Sequence, residues 1–554
     1  MNIEKWLELS KEYPWIKESY DAMSEKQIED AFYKELEFGT AGMRGVLGMG
    51  PNRMNDFTVA RANYAFGQYL TETFSDKPLK VAIAYDNRHQ SREFADVSAR
   101  VLSTFGIESH VFQDPRPTPE LSFAVRSLGC VGGIVITASH NPKEYNGYKI
   151  YDETGCQLVD NKVARVIEII SELGDVTDIV LPVGERDLIH QIPFDFDSLY
   201  MDAVKSLQLR KELDKKVRIV FSSQHGTSYP IVPNILEECG YEVTVVKEQS
   251  DYDPDFTNTK TPNPEERASY ELPIEYAEKY DADLILVCDP DADRMGIVVK
   301  HQGQYVNLTG NQGGSLLQDY IYSSLIEKKI MPEHPYMFNT VVTSNLGELI
   351  AKKYNVNVEK TLTGFKYIGE KIEKLNKSNK GTFVFGYEES YGYLIKEFVR
   401  DKDAPQACIM VAEMANYYLQ ENKTLVDRLN ELYDEFGYYH EDQVAFTLAG
   451  AEGLAKIQET LSYFRDNEIA EIGGLKVINK EDYLLSVNSK GDVLNFPKSN
   501  VLKFFLEDGS WIAIRPSGTE PKCKFYYCVV DSSPEKSYEK FILLKNAIAT
   551  ITKL

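Results

Sequence analysis

The sequence has few of the features that mark secreted, membrane-spanning or metal-finger proteins. It has seven cysteines in 554 residues, an odd number, and no C-x-x-C pair, so neither a disulfide framework nor a zinc site is indicated. No window approaches about 18 consecutive apolar residues, so no transmembrane helix is expected. The first ten residues lack a cationic start followed by an apolar run, so we expect no secretory signal. These absences favour a reduced, cytoplasmic compartment.

Positive charge is also scarce. Lysine and arginine number 61 against 85 aspartate and glutamate residues, for a formal net charge of −24, and the chain has no stripe rich in Lys and Arg. A nucleic-acid-binding protein usually shows such a basic footprint, and an anionic membrane surface would repel this chain. We therefore predict no nucleic-acid partner and no membrane partner. A phosphorylated small substrate remains compatible, because a few cationic loops can reverse the field inside a cleft. No heptad run indicates an oligomeric state.

Apolar runs rich in Val and Ile alternate with amphipathic stretches, which predicts an α/β fold. The length predicts about three to five domains. The runs form three pairs: Lys80–Tyr85 with Val131–Thr137, Lys216–Phe221 with Leu284–Cys288, and Tyr336–Val342 with Thr382–Phe385. The first members of the pairs recur at roughly 120–135 residues, a spacing typical of a repeated domain rather than a solenoid. We therefore predict three related α/β domains.

The last part of the chain has a different pattern. A helix-like run at Leu454–Phe464 and several short strand-like runs predict a fourth, α+β domain. The stretch Asn422–Gly437 carries the connection to it. We predict domain ranges of 1–205, 206–310, 311–435 and 436–554.

In each pair the second apolar run leads into a polar loop. These loops are residues 139–142, 289–294 and 387–390. Open α/β sheets bind their ligands beyond the carboxyl ends of the strands. We therefore expect each of the three loops to carry ligand-binding residues.

Three carboxylates alternate in the second loop, at Asp289, Asp291 and Asp293. In an extended loop alternate residues share a face, and carboxylates this close repel one another unless a cation lies among them. Oxygen ligands suit Mg²⁺, Mn²⁺ or Ca²⁺ rather than zinc. An EF-hand is excluded, because Arg294 and Lys300 occupy the positions that need Gly and Glu. A different interpretation makes Asp289 an aspartyl nucleophile of a phosphatase, but it leaves the first loop unexplained.

The first loop holds a serine that can be exposed on a bend. Ser139 follows an apolar strand, and Asn141-Pro142 impose a turn after it. No Ser-His-Asp arrangement or G-x-S-x-G elbow surrounds it, so a hydrolase triad is not indicated. His140 is expected to be a hydrogen-bonding neighbour, and Lys149 is close enough in sequence to fold back on the serine.

Other loops suit a phosphate and a sugar. Residues 515–522 combine Arg, Ser, Gly and Thr, donors that can form an anion cradle. They lack the Walker A spacing. A Gly-rich turn at 38–45 is a weaker candidate of the same kind. Glu388 and Ser390 could bind adjacent sugar hydroxyls.

The four loops, in this order, resemble those of the α-D-phosphohexomutase superfamily. The segments are 137–142 (phosphoserine loop), 289–294 (metal loop), 386–390 (sugar loop) and 515–519 (phosphate loop). The resemblance covers essentially the whole chain and is strongest to the phosphoglucomutase/phosphomannomutase branch, which also contains phosphopentomutase. Tyr387 stands between Gly386 and Glu388, a departure from the family's usual sugar loop that leaves the sugar preference open.

The resemblance implies four domains around a central cleft, with Ser139 carried as a phosphoserine. It implies Mg²⁺ bound by Ser139, Asp289, Asp291 and Asp293. It implies catalytic roles for Ser139, His140, Lys149, Arg44 and Arg294, with Lys149 the candidate acid/base group. It implies substrate contacts for Thr363, Gly364, Glu388, Ser390, Lys402, Arg515, Ser517, Gly518 and Thr519. It also marks Arg400 and Asp403 as charged neighbours of Lys402.

The implied activity is the interconversion of a sugar 1-phosphate and a sugar 6-phosphate. Glucose is the expected sugar and mannose a second one, with a sugar 1,6-bisphosphate as intermediate and glucose 1,6-bisphosphate as activator. The fourth domain is expected to close over the cleft during turnover. The alternatives are a phosphopentomutase of the same family, the Asp289 phosphatase, and a sugar-phosphate binding protein without activity.

Overall fold

A computed structural model describes residues 3–39, 42–447, 450–516 and 522–552. Four β-sheets follow one another along the chain. The first three are mixed sheets with helices packed against them, and the fourth belongs to a β-rich C-terminal domain. The predicted four-domain α/β architecture is confirmed.

The first domain is preceded by three short helices. This part of the chain contains α1 (Ile3–Leu9), α2 (Trp15–Ala22), α3 (Glu25–Phe32), β1 (Met43–Val46), α4 (Asp56–Thr73), β2 (Lys80–Tyr85), α5 (Ser91–Ser103), β3 (Glu108–Phe112), α6 (Thr118–Ser127), β4 (Gly132–Ile136), β5 (Tyr145–Asp152), α7 (Asp160–Glu172), β6 (Ile189–Ile192) and α8 (Phe196–Lys205). Its sheet has the order β1-β5-β4-β2-β3-β6. The N-terminal helices pack Trp6, Ile16 and Phe32 against Phe57 of α4.

The second and third domains continue with smaller sheets. The second contains β7 (Arg218–Ser222), α9 (Ile231–Glu238), β8 (Glu242–Val245), α10 (Glu271–Tyr280), β9 (Leu284–Cys288), β10 (Met295–His301) and β11 (Gln304–Leu308). The third contains α11 (Gly310–Glu327), β12 (Pro335–Thr340), α12 (Asn345–Lys353), β13 (Asn357–Thr361), α13 (Phe365–Ser378), β14 (Thr382–Tyr387), β15 (Tyr393–Leu394), α14 (Ala404–Gln420) and α15 (Leu425–Phe436). Their sheet orders are β11-β10-β9-β7-β8 and β13-β12-β14-β15.

The fourth domain is built on an antiparallel sheet. It contains β16 (Tyr438–Thr447), α16 (Gly450–Asp466), β17 (Glu471–Ile472), β18 (Leu475–Asp482), β19 (Val487–Asn488), β20 (Leu502–Leu506), β21 (Trp511–Pro516), β22 (Lys522–Asp531) and α17 (Pro534–Thr552). The sheet order is β16-β22-β21-β20-β18-β17, with β19 beside β18. The predicted helix at Leu454–Phe464 lies inside α16. No helix in the described ranges is both long and apolar enough to cross a bilayer.

The three mixed sheets share one four-strand unit. In the first, β2 pairs in parallel with β3 on one side and with β4 on the other, and β5 adds antiparallel to β4. Strands β8-β7-β9-β10 repeat this arrangement in the second sheet. Strands β13-β12-β14-β15 repeat it in the third. The predicted repeat is therefore a repeat of topology, and each predicted polar loop joins a parallel strand to its antiparallel neighbour.

The six predicted apolar runs are all strands. Lys80–Tyr85 and Leu284–Cys288 match the observed bounds to the residue. Strands β4 and β9 are buried along their whole length, as expected of central strands covered on both faces. One difference is at Val341 and Val342, which lie beyond the end of β12. There the Val341 carbonyl accepts a hydrogen bond from the buried Lys503 of the fourth domain at 2.7 Å, so these apolar residues join two domains.

Helix α13 shows how a simple pattern positions a site residue. It buries Phe365, Ile368, Ile372 and Leu375, a spacing that places all four on one helix face. The helix begins after Gly364, whose φ of +121° lies in a region that favours glycine. The backbone N–H of Gly364 is thereby free to donate toward the loop that follows β14.

Candidate active site

Ser139 lies in the loop between β4 and β5 and is 3% exposed. Its φ is +52°, an uncommon conformation for a residue with a Cβ atom. The Ser139 N–H donates to Thr137 Oγ1 at 2.8 Å. The hydroxyl donates to Asp289 Oδ2 at 2.9 Å and lies 3.2 Å from His140 Nδ1. The structure therefore brings the predicted serine into contact with the predicted metal loop.

His140 is held neutral by its surroundings. Burial lowers its pKa well below the ordinary value, and the positive charges of Arg294 and Arg44 lower it further. A neutral imidazole can accept or donate one hydrogen bond at each ring nitrogen but carries no charge. His140 is thus a hydrogen-bonding neighbour of Ser139, as the sequence predicts.

The three aspartates of the second loop converge. Ligand atoms of Asp289, Asp291 and Asp293 lie within 4.8 Å of one another, and all three residues are buried. Burial, together with the charges of Asp291 and Asp293, raises the pKa of Asp289 well above its ordinary value. Burial opposes ionisation of Asp291 as well, but Lys149 and Lys402 outweigh it and hold its pKa below the ordinary value.

Two lysines neutralise the aspartate cluster. Lys149 Nζ lies 2.9 Å from Asp291 Oδ2 and 3.6 Å from Asp293 Oδ2. Lys402 Nζ lies 2.6 Å from Asp293 Oδ2. Burial disfavours the Lys402 ammonium, yet Asp293 and Asp401 raise its pKa above the ordinary value. Both predicted lysines therefore reach the site, and both contact carboxylates rather than a hydroxyl.

The aspartate cluster fits a divalent cation. Asp291 Oδ1 and Asp293 Oδ1 are buried and have no hydrogen-bond partner among the described residues. A buried carboxylate oxygen without a partner is costly, and a hard cation such as Mg²⁺ accepts such oxygens as ligands. The donor set contains oxygen only, which agrees with the predicted exclusion of zinc.

The predicted sugar residues lie side by side. The Gly364 N–H donates to Glu388 Oε1 at 2.7 Å, which joins the start of α13 to the loop after β14. Thr363 Oγ1 is buried without a hydrogen-bond partner in the described part of the chain. Ser390 lies at the turn of the same loop, which is closed by a bond from the Glu388 N–H to the Gly392 carbonyl at 2.9 Å.

Two of the predicted arginines, Arg44 and Arg294, have polar partners beside the predicted loops. Arg44 Nη1 donates to Asn141 Oδ1 of the serine loop at 2.8 Å. Arg294 forms an ion pair with Glu265. Burial disfavours the charge on Arg294, but Glu265 and Asp293 raise its pKa above the ordinary value.

The fourth domain contributes Arg515, at the end of β21. It lies opposite Lys524 in the β21–β22 pair. Two cations directly opposite each other in a sheet repel, which favours an anion between them. Ser517, Gly518 and Thr519 lie outside the described residues.

Hydrogen bonds tie the metal loop to its neighbours. The Thr118 N–H at the start of α6 donates to the Asp291 carbonyl at 2.9 Å, and its hydroxyl donates to Asp291 Oδ2 at the same distance. The Met295 N–H donates to the Tyr391 carbonyl of the sugar loop at 3.0 Å. The metal loop is therefore held by both the first and the third domain.

Sequence reasoning missed a set of supporting residues in the loops after the first strand of each pair. Arg88 follows β2 and donates to the Ser139 carbonyl at 2.6 Å. Thr227 follows β7 and donates twice to the Pro290 carbonyl. Thr340 ends β12 and donates to Glu389 Oε2 at 3.1 Å. The signal was present, because polar residues also follow these three apolar runs.

Arg400 and Asp403, the charged neighbours of Lys402, have other contacts. Arg400 pairs with Glu373. Asp403 caps α14 through the Gln406 N–H and accepts a bond from the Tyr200 hydroxyl at 2.8 Å. Both hold the segment that presents Lys402.

Glu120, in the first turn of α6, leads to a prediction about stability. It is completely buried, and neither of its carboxyl oxygens has a hydrogen-bond partner in the described ranges. Burial, and then nearby Asp197, raises its pKa well above 4.5. The folded protein therefore keeps a proton that the unfolded chain releases above about pH 4.5, and stability falls as the pH rises from there towards the folded pKa.

We expect Glu120→Gln to raise the melting temperature more at pH 8 than at pH 5, because glutamine has no proton to release. Thermal unfolding of both proteins at the two pH values measures this. The exposed Glu275→Gln serves as control. An equal shift at both pH values would contradict the assignment.

The chain matches the phosphoglucomutase/phosphomannomutase family along most of its length. Alpha/beta/alpha domains I, II and III of that family match residues 35–176, 198–303 and 309–436, and its C-terminal domain matches residues 466–544.

Individual proteins are similar to this chain in sequence or in structure. A phosphoglucomutase of Staphylococcus epidermidis is 39% identical over 523 residues, covering 92% of this chain and 94% of that protein. A putative phosphomannomutase of Thermus thermophilus has a similar structure, with a TM-score of 0.71, 21% identity and coverage of 94% and 100% of the two chains. An N-acetylphosphoglucosamine mutase of Aspergillus fumigatus, solved with GlcNAc-6P and magnesium, has a TM-score of 0.51 at 14% identity, with 98% of each chain covered.

Proposed function

The chain belongs to the phosphoglucomutase/phosphomannomutase family, and we propose that it interconverts α-glucose 1-phosphate and glucose 6-phosphate through a phosphoserine at position 139. The protein is a hexose-phosphate mutase, an intramolecular phosphotransferase. The observation that carries the proposed relay is the 2.9 Å contact between Ser139 Oγ and Asp289 of the aspartate cluster. The relatives named phosphoglucomutase support glucose as the sugar.

The proposed reaction has two phosphoryl transfers. Phosphoserine 139 gives its phosphoryl group to the free hydroxyl of the sugar monophosphate, the Ser139 Oγ–P bond breaks, and the hydroxyl proton passes to the neutral amine of Lys149. The product is glucose 1,6-bisphosphate, which turns within the cleft. Ser139 Oγ then takes the other phosphoryl group, and the isomeric monophosphate is released. Glucose 1,6-bisphosphate is accordingly proposed as activator, because it recharges an enzyme that has lost its phosphate.

Asp289, Asp291 and Asp293 would hold Mg²⁺. When bound, this ion supplies charge neutralisation for the transferring group. The remaining work belongs to side chains of the chain itself, since phosphoryl transfer depends mainly on positioning and on charge stabilisation. Arg44 and Arg294 stabilise the developing negative charge, and neutral His140 orients the serine oxygen.

Lys149 Nζ is the proposed proton acceptor. It is largely buried, at 8% exposed, and in the structure its proton donors face Asp291 and Asp293. A cation bound by the aspartates would compete with this ammonium for the same oxygens. Lys149 released from them would lose a proton to solvent and face the sugar hydroxyl as a neutral amine, which can accept the hydroxyl proton. Lys402, which lies 2.6 Å from the same Asp293 oxygen, is proposed to contact the sugar phosphate.

Substrate recognition is assigned to the third and fourth domains. Glu388 and Ser390 are proposed to bind sugar hydroxyls, beside Thr363 and the Gly364 N–H. Arg515, with Ser517, Gly518 and Thr519, is proposed to hold the phosphate that is not reacting. One fixed phosphate site accounts for both half-reactions, because the bisphosphate can present either end to Ser139.

Two enzyme alternatives are less well supported. An Asp289 phosphatase would need a free carboxylate oxygen, yet Asp289 Oδ1 accepts the N–H groups of Asp293 and Arg294, and Oδ2 accepts the Ser139 hydroxyl. A phosphopentomutase would use the same relay with a smaller sugar.

We also propose a cytoplasmic location, supported by seven unpaired and mostly buried thiols.

The test is an incubation of the full-length protein with glucose 1-phosphate, Mg²⁺ and a trace of glucose 1,6-bisphosphate. We expect glucose 6-phosphate as product, at a higher kcat/KM than for mannose 1-phosphate or ribose 1-phosphate. Release of inorganic phosphate would instead indicate the phosphatase, and no turnover would indicate a binding protein. A preference for ribose 1-phosphate would overturn the assignment of the sugar.

A further inference from the structure

Arg88 has a set of contacts that the reaction scheme does not use. It is 3% exposed, and its guanidinium donates four hydrogen bonds to main-chain carbonyls, three in the phosphoserine loop and one at Tyr145, the first residue of β5. Nη2 reaches the carbonyls of Ser139 at 2.6 Å and Asn141 at 2.5 Å, and Nη1 reaches those of Pro142 at 2.8 Å and Tyr145 at 3.1 Å. One side chain therefore binds the main-chain carbonyls of Ser139, Asn141, Pro142 and Tyr145.

The guanidinium is itself fixed. Its Nε lies 3.2 Å from Asp86 Oδ2, and Asp86 Oδ1 accepts bonds from the Arg88 N–H and the Ser91 hydroxyl. The ring of Phe256, from the second domain, lies 5.0 Å from the guanidinium carbon. A buried charge is tolerated only with this degree of pairing and hydrogen bonding. Arg88 is thus held by contacts around its guanidinium: four carbonyls, the Asp86 carboxylate at ion-pair distance and the Phe256 ring.

The loop needs such an element because Ser139 has a left-handed backbone. Its φ of +52° is strained for a residue with a Cβ atom and persists only when the surroundings impose it. Arg88 fixes the Ser139 carbonyl, Thr137 fixes its N–H, and the hydroxyl is thereby aimed at Asp289 in the second domain. If the carbonyl were released, the backbone could relax and carry the reacting oxygen away from the metal loop.

We propose that the Asp86–Arg88 pair is a positioning unit for phosphoryl transfer, which holds the backbone of the phosphoserine loop in the conformation that points Ser139 Oγ at the aspartate cluster. The proposal rests on the proposed relay through Ser139. Arg88 does not contact the reacting atoms, and acts through four carbonyls. Lysine cannot replace it, because an ammonium offers three donors from one atom, whereas the guanidinium offers a planar fork of five.

The test compares full-length wild-type protein with Arg88→Lys. We expect kcat to fall about 100-fold, the loss typical of a misplacement near 1 Å, while KM for glucose 1-phosphate stays within about twofold, because the sugar and phosphate contacts lie on other domains. In single-turnover experiments, the rate of phosphoryl transfer from labelled enzyme to substrate should fall by the same factor. A residue that only stabilised the fold would leave both rates per folded molecule unchanged.

The matched control is Arg428→Lys. Arg428 is also largely buried and also binds a carboxylate, with Nε and Nη2 at 2.9 and 3.0 Å from Asp319, but it lies on α15, away from the loops. It should lower the melting temperature without changing kcat. A folded Arg88→Lys protein with wild-type kcat, or with a loss matched by Arg428→Lys, would overturn the proposal.

Should Arg88→Lys fail to fold, Asp86→Asn replaces it. This variant keeps the guanidinium but weakens its anchor, and a fall in kcat of about tenfold with unchanged KM is expected, the lower end of losses from supporting residues. Wild-type kcat in folded Asp86→Asn would overturn the positioning unit. The relay itself is judged separately, by mutase activity and a Ser139 phosphopeptide in the wild-type protein.

Discussion

Replacing Ser139 with alanine is expected to remove mutase activity by at least about 10⁴-fold, the scale of loss when a catalytic nucleophile is deleted. The hydroxyl of Ser139 is the oxygen that meets the aspartate cluster, at 2.9 Å from Asp289 Oδ2. Without it the phosphoryl group has no acceptor on the loop. The fold should persist, because alanine adopts the same φ at a similar cost and only about 1 kcal/mol of hydrogen bonding is lost.

Two measurements check this expectation. A coupled assay of glucose 6-phosphate formation gives the rate, and mass spectrometry of the purified protein locates the phosphate. The wild-type peptide containing Ser139 should carry one phosphate, and the alanine variant should carry none. Ser98→Ala is the matched control, since Ser98 is fully buried in α5 and its hydroxyl donates to the Phe94 carbonyl. Full activity in Ser139→Ala would exclude the relay.

We expect Asp289→Asn to weaken metal binding while leaving the stability of the fold nearly unchanged. In the metal-free protein burial and the charges of Asp291 and Asp293 raise the pKa of the Asp289 carboxyl well above the ordinary value, which favours its neutral form. Asparagine is also neutral, has nearly the same shape, and keeps an acceptor for the N–H groups of Asp293 and Arg294. The metal-free melting temperature should therefore change little. Affinity for Mn²⁺ or Mg²⁺ should fall more than about 100-fold, the upper limit for residues that only support ligands.

The sign of the pH dependence gives a second readout. A cation that binds Asp289 must displace its proton, so the metal affinity of the wild-type protein should increase with pH. Asparagine has no proton to lose, and the variant should lack this part of the dependence. Calorimetric titration with Mn²⁺ at several pH values measures both effects. Asp283→Asn is the control, because Asp283 precedes β9 at its other end and pairs with Arg218. Retained metal affinity in Asp289→Asn would exclude the aspartate cluster as the metal site.

Much of this site could be predicted from the sequence, because its loops follow apolar strands. The alternation of Asp289, Asp291 and Asp293 after β9 already defines a shared face, and the fold adds only the distances. The contact between Ser139 and Asp289 was implied by the family resemblance, and no local pattern records it, since the residues are on different domains.

What the sequence did not reveal depends on tertiary burial. Strand β5 reads as polar, yet all but its first residue are buried, because its side chains pack against other parts of the fold: the Tyr148 hydroxyl donates to Asn63 of α4 and the Tyr151 hydroxyl donates to Asp401. Arg88 donates to main-chain carbonyls more than fifty positions away. Every residue has a main-chain carbonyl, so the amino-acid types at those positions do not indicate the contact. The sequence predicted that Lys149 lies near the serine. It did not predict the carboxylates that Lys149 contacts, because these come from the second domain.

The closed form of the sugar loop has an evolutionary consequence. Residues 388–392 are bounded by the pairs Gly386–Leu394 and Tyr387–Tyr393 of β14 and β15, and their ends are tied by the bond between the Glu388 N–H and the Gly392 carbonyl. These bonds involve main-chain atoms only, so the side chains of the segment can change while the strands that carry it stay the same. A change of sugar then needs only a few side-chain replacements and no new fold, provided that the bond from the Met295 N–H to the Tyr391 carbonyl, which ties this segment to the metal loop, is kept.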